Sequence, residues 1–228
     1  MRRQVVFGLI LTTALGAGTS ALANGGAVGG GSAPSASMPE RTPEQMARDA
    51  YNNGISHRDK GDKLETQPSK DAKDHAKNLD KAKAEYIKAL KDFQKAADLL
   101  PNFYQAYNGL GYASRKTGDY ATALTMYDKA LSLAPGFPDA IEYRGVAYLK
   151  LNRVDDAKQA YLDLFGKDRK QADDLLKAMT EWVDDRKTDA AGVDPKVVTD
   201  LDSWIQERST IASTTSAMAL TGRQSIWN

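Results

Sequence analysis

The chain has 228 residues, enough for one domain with a substantial buried core. Its 31 Lys and Arg balance 30 Asp and Glu, for a net charge of +1, which argues against the clustered basic excess of a nucleic-acid-binding surface. Cysteine is absent and there are two histidines, His57 and His75, which excludes disulfides, thiol catalysis, cysteine-based metal sites and a three-histidine metal centre.

Met1, Arg2 and Arg3 form a basic start, Val5 to Leu15 is mostly apolar, and Ala21-Leu22-Ala23 has the small-x-small pattern of a cleavage site. This predicts a signal peptide over residues 1–23, with Asn24 as the first mature residue and a periplasmic or secreted location. The apolar run is shorter than the ~20 residues needed to span a bilayer. No second hydrophobic segment suggests a membrane span. Residues 24–41 are mainly Gly, Ala, Ser and Pro, too poor in apolar surface to order themselves, and read as a flexible linker. Thr42-Pro43-Glu44-Gln45 then opens a helix: Thr42 suits the N-cap, Pro43 the first helical position, and Gln45 completes a capping box.

The middle of the chain repeats itself. Tyr86, Ala89, Phe93, Ala96 and Pro101 recur at a fixed offset as Tyr120, Ala123, Tyr127, Ala130 and Pro135. One further period on stand Val154, Ala157, Tyr161 and Leu164, while Gly111 recurs as Gly145 and Gly118 as Asn152. This spacing resembles the tetratricopeptide repeat, and Tyr104 to Phe137 carries nearly the whole pattern. The physical roles follow from residue type. Gly111, Gly145 and the alanines let paired helices approach closely. Tyr107, Phe93, Tyr127 and Tyr161 fill the space between stacked helices. Gly118 takes the positive φ that ends a first helix, with Asn152 the next best residue there, and Pro101 and Pro135 stop the second helices. The expected fold is an all-α helical-hairpin solenoid of about three repeats, near 47–103, 104–137 and 138–171, within an array over 42–187.

Gly54 and Gly61 match Gly111 and Gly118 at a wider offset, one period plus an insertion, which is placed at 62–84. The first helix is expected to end near Lys60. Ala72, Ala76, Leu79, Tyr86, Leu90, Phe93, Ala97 and Leu100 keep helical spacing, so one long helix is expected from about Ser69, its N-cap, to Leu100. Its first half would project by roughly 22 Å at about 1.5 Å per residue.

Leu175, Met179, Trp182 and Val183 lie at helical spacing and predict a capping helix over 168–187. Val198, Leu201, Trp204 and Ile205 predict a last helix over 194–209. The Ser/Thr-rich stretch 210–228 is expected to be a flexible tail able to bring Trp227 back to the groove.

No phosphate loop, nucleophile elbow or HExxH motif occurs, so no enzyme and no cofactor or metal site is expected. His57 and His75 read as solvated. The family resemblance implies a scaffold whose first helices line a concave groove that holds a protein or peptide partner. The groove-facing positions are Arg48, Tyr51, Ile55 and Arg58; Gln105, Asn108, Tyr112 and Arg115; and Asp139, Glu142, Tyr143, Val146 and Leu149. Of these, Arg48, Tyr51, Arg58, Asn108, Tyr112, Arg115, Glu142 and Tyr143 are the candidate peptide-binding residues, because aromatics and arginine are the usual anchors. Some family members grip chaperone C-termini with a Lys/Asn/Arg clamp; Tyr51, Ile55, Gly109, Asp139 and Tyr143 stand at those places, so that clamp is absent. The alternative function is a structural or assembly part of a cell-envelope complex, held through the long helix or the tail.

Overall fold

The computed structural model describes residues 41–224, with side chains for 41–215. The expected signal peptide, the linker up to residue 40 and Trp227 lie outside the described residues. Among those described, eight helices follow one another: α1 Pro43–Glu65, α2 Ala72–Leu99, α3 Tyr104–Thr117, α4 Tyr120–Leu133, α5 Pro138–Lys150, α6 Val154–Phe165, α7 Arg169–Thr188 and α8 Pro195–Gln224. No strand occurs among the described residues. Each helix packs on the next, and α1 on α3, α3 on α5 and α5 on α7 as well. The odd-numbered helices therefore form a continuous inner layer, the concave side of an all-α solenoid.

Close approach is built into the sequence. A Cβ added to Gly111 would lie 2.5 Å from Tyr127 Cε1, and one on Gly145 2.7 Å from Leu175 Cδ2. The Phe93 ring meets two glycines: a Cβ on Gly54 would stand 2.6 Å from it and one on Gly109 2.8 Å. Phe93, Tyr127 and Tyr161 are fully buried, as are Ala89, Ala123 and Ala157 one turn before them on the same helices, while Tyr107 is half-buried. Gly118 ends α3 at φ +94°, and Asn152 adopts φ 57° after α5. Thr42 and Gln45 cap α1 reciprocally.

The buried apolar residues form three clusters. An N-terminal one centres on Tyr86, Phe93 and Tyr112, and a C-terminal one on Leu149, Tyr161, Leu175, Met179, Trp182 and Leu201. Between them lies a seam of four alanines (Ala123, Ala130, Ala140, Ala147) around Tyr127.

Three boundaries depart from the sequence expectation. First, α1 does not stop near Lys60 but runs through Gly61 to Glu65. Gly61 serves a close approach instead of a turn: a Cβ there would meet Tyr86 Cε1 at 2.5 Å. Asp62, one residue on, accepts the Tyr86 hydroxyl at 2.7 Å, so the extra turn of α1 has partners. Second, α2 begins at Ala72, with Asp71 as its cap accepting from Asp74 N at 2.8 Å. Ser69 instead accepts from the buried Asn78 side chain at 3.3 Å. The projection is thus a helical hairpin and not a helix trailed by a loop. Third, residues 210–224 are not a flexible tail but a continuation of α8. Thr210, Ser213, Thr214 and Thr215 turn their hydroxyls onto backbone carbonyls three or four residues back. Arg169 of α7 donates to the Ala212 carbonyl at 3.0 Å and to Thr215 Oγ1 at 3.2 Å. The reach assumed for a random chain does not apply to this helix.

Candidate functional site

The inner faces of α1 and α3 converge on Tyr112. Its ring is nearly buried and its hydroxyl donates to Asp62 Oδ1 at 2.7 Å, the same oxygen that accepts from Tyr86. Burial and the adjoining carboxylate hold both phenols well above the usual tyrosine range. The Tyr143 ring of α5 stands 5.1 Å from that of Tyr112 in an edge contact, and Tyr86 meets it at 6.4 Å from the other side. Cations lie on this aromatic array. The Arg115 guanidinium is 5.0 Å from the Tyr112 ring centre and 5.6 Å from that of Tyr143, and Arg58 is 5.8 Å from Tyr112. Lys116 sits over Tyr86 and Tyr112 and pairs with Glu65. A cation over a ring is worth about 0.5–1 kcal/mol when exposed and about 2 kcal/mol where water is excluded.

Further along the layer the charge changes sign. Glu142 of α5 is half-buried, and desolvation pushes its carboxyl up to about 7, helped by Asp174 and Asp139 and opposed by Arg115 and Lys170. Gln171 of α7 donates to Asp139, and Lys170 pairs with Asp174.

The eight candidate residues therefore separate. Arg58, Tyr112, Arg115 and Tyr143 form one cluster, with Glu142 beside it. Asn108 lies on the same layer, buried, its Oδ1 without a hydrogen-bond partner. Tyr51 is drawn into the N-terminal core, its ring 4.9 Å from Phe103 and 5.6 Å from Phe93. Arg48 is exposed, well before Arg58 on α1 and apart from the cluster. Leu149 belongs to the C-terminal core and not to the groove, since it is only 2% exposed. Tyr86, Asp62, Glu65 and Lys116 were not among the sequence candidates. Asp62 carried one signal, since it follows the repeat glycine Gly61 directly, as Asp119 follows Gly118.

His57 is not simply solvated. It is half-buried between α1 and α2, with Nδ1 2.7 Å from Glu85 Oε2 and Nε2 3.8 Å from Asp92. His75 is exposed. Among the described residues no three His, Asp or Glu side chains converge as a metal site, and no helix is long and apolar enough to cross a membrane.

Residues 72–138 and 114–181 each match a family model of the tetratricopeptide repeat. No curated protein matches the chain in sequence. Among solved structures, the first TPR of Spaghetti (RPAP3) bound to the HSP90 peptide SRMEEVD is 18% identical, over 57% of this chain and 94% of that one, with a TM-score of 0.40. Two crystal structures of MamA are 21% and 18% identical, over 57% and 62% of this chain and 87% and 96% of theirs, with TM-scores of 0.35 and 0.32. The repeat register, the helical hairpins and both family matches agree: residues 72–181 are built of tetratricopeptide repeats.

Proposed function

We propose that this chain is an exported, non-enzymatic scaffold that holds an extended segment of a protein partner along its inner helix layer. The supporting observation is the Arg58–Tyr112–Arg115–Tyr143 cluster, where rigid aromatic surface and cationic groups meet on one face. Tyrosine and arginine are the side chains that dominate interface energetics, because they offer large contact area for little lost entropy. Export rests on the basic start, apolar run and Ala-x-Ala site of residues 1–23, and the periplasm or extracellular space is the proposed location.

The test is site-specific photo-crosslinking in the native host, with the reactive residue at Tyr143 or Val146 on α5 and at Lys95 on the outer face of α2. A protein captured from the α5 positions and not from position 95 supports the groove. A second reading, an assembly part held by its projecting hairpin, is favoured by Leu79 and Ile87, which lie 42% and 44% exposed on α2. Capture from position 79 or 87 alone would refute the groove reading in favour of that one. Mass spectrometry of the same preparation should find Asn24 as the first residue; an intact Met1 in the soluble fraction would refute export.

A further inference from the structure

We infer, building on the groove reading, that Arg58 and Arg115 form a double-guanidinium seat for one acidic side chain of the bound segment. The two arginines are repeat equivalents: the offset between them is the one that relates Gly54 to Gly111 and Gly61 to Gly118. Both converge on one ring, Tyr112, from adjacent repeats. The third repeat places Leu149 at the corresponding position, inside the core, so the seat is confined to α1 and α3.

The charge balance around the pair is what makes it a receptor. Arg144, Arg153, Arg169 and Arg208 each have a carboxylate partner within the fold. Arg115, like Arg48 and Arg186, has no ion pair among the described residues; the Tyr127 hydroxyl and the Glu142 carboxylate lie near enough to favour its charge without pairing with it. Arg58 pairs only with the neighbouring Asp59, whose side chain is 59% exposed and free to give way. Asp62 forms no ion pair with either arginine among the described residues; its Oδ1 accepts the Tyr86 and Tyr112 hydroxyls. Glu65 is taken by Lys116. Both guanidinium groups lie over the Tyr112 ring, and the planar guanidinium fork is the group that binds a carboxylate through two parallel hydrogen bonds.

Toward α5 and α7 the groove turns acidic, at Asp139, Glu142 and Asp174. An acid seated on the arginines is therefore best followed by a neutral or basic residue. This favours an internal acidic residue with chain continuing past it over a run of acids.

The experiment uses the full chain and three fluorescent hexapeptides, N-acetylated and C-amidated, that differ only in carrying Glu, Gln or Lys at the fourth position among Leu, Ala and Tyr. Fluorescence anisotropy should show the Glu probe binding at least tenfold tighter than the Gln probe and tighter still than the Lys probe. Added salt should weaken this preference. Arg58→Gln and Arg115→Gln should each abolish it. Arg115→Lys should recover only part, since charge returns without the fork. Arg58 is half-buried at the groove edge, so Arg58→Gln remains interpretable if the Arg115 variant fails to fold. Equal affinity for the Glu and Gln probes overturns the seat, as does a preference that survives both Gln variants. Failure of the Glu probe to bind at millimolar concentration overturns it too, as does a gain from a free C-terminal carboxylate that ignores the internal residue. If the Glu and Gln probes bind equally and Tyr143→Ala weakens both, the groove reading stands and the acidic seat alone falls.

Discussion

Adding one methyl group to Gly54 tests the packing of the array at one of its tight points. The new Cβ would stand 2.6 Å from Phe93 Cδ1 and Cε1, where carbon atoms normally keep about 3.5–4.0 Å. The ring would have to withdraw by roughly 1 Å to restore that contact distance. It has no open space to enter, because Phe93 is fully buried and Gly109 of α3 meets the same ring atoms. Alanine in place of glycine inside a helix gains about 1 kcal/mol from propensity. Overpacking a rigid core ring costs about 1–3 kcal/mol, here near the upper end because a ring cannot bend aside. The net expectation for Gly54→Ala is about 2 kcal/mol of lost stability, or about 4–8 °C in melting temperature for a domain of this size. Gly166→Ala is the control: no atom lies within 4 Å of its Cβ position and its φ is −91°. It should stabilise by about 0.4–1 kcal/mol. In a Phe93→Leu background the Gly54→Ala cost should shrink, by about 1 kcal/mol or more of coupling between contacting sites. Thermal and urea unfolding followed by circular dichroism reads the four variants against the parent chain. If Gly54→Ala stabilises as Gly166→Ala does, the packing argument is refuted.

Three further outcomes follow from the site. Asp62→Ala leaves the Tyr86 and Tyr112 hydroxyls without their acceptor and should cost about 2–4 kcal/mol in urea unfolding, given about 1.5–3 kcal/mol for a hydrogen bond to a charged group; a loss under about 0.5 kcal/mol would contradict the network. Glu142 has a folded-state pKa near 7, above its ordinary 4.5. The folded state thus binds the extra proton between those values, and stability should fall as pH rises from about 4.5 to 7 and then level. Glu142→Gln should remove that slope and stabilise by about 1–3 kcal/mol at pH 8; an unchanged pH profile refutes the assignment. Truncation after Ser209 removes the Arg169 contacts but spares Val198, Leu201 and Ile205, so melting should shift by no more than about 1 kcal/mol equivalent; collapse of the fold would show that 210–224 carries more than those bonds.

The repeat register was legible because a close approach leaves a residue-type signature: small residues on one helix opposite a ring on its partner. Gly118 and Asn152 were legible as turns because few residues tolerate a positive φ. Gly61 was misread because a glycine signals close approach and turn alike. The Gly-Asp pair at 118–119 ends one helix and caps the next, with Asp119 accepting from Thr122 N. The identical pair at 61–62 stays inside α1, and its aspartate receives two phenols. Only the distant Tyr86 and Tyr112 decide between the two outcomes, and no local window contains them. Residues 210–224 were misread for a related reason. Ser and Thr favour turns when their hydroxyls compete with the backbone, but the same hydroxyls bond three or four residues back once a helix is in place. The groove cluster was half legible: facing positions follow from helical period, but whether a facing tyrosine stands in solvent or folds down, as Tyr51 does onto Phe103, depends on neighbours outside the repeat.

The alanine seam around Tyr127 has a consequence for how the array deforms. A linear stack behaves as a chain of nearest-neighbour couplings, and it opens first where the coupling between layers is smallest. Large rings and Leu side chains interlock the layers at both ends, whereas the middle holds four alanines and one tyrosine among its fully buried residues. The compliant joint therefore falls between the hairpin bearing Arg115 and the one bearing Glu142. Bending there changes the separation of the cationic and acidic stretches of the inner face, so the molecule acts as a caliper whose two jaws carry opposite charge.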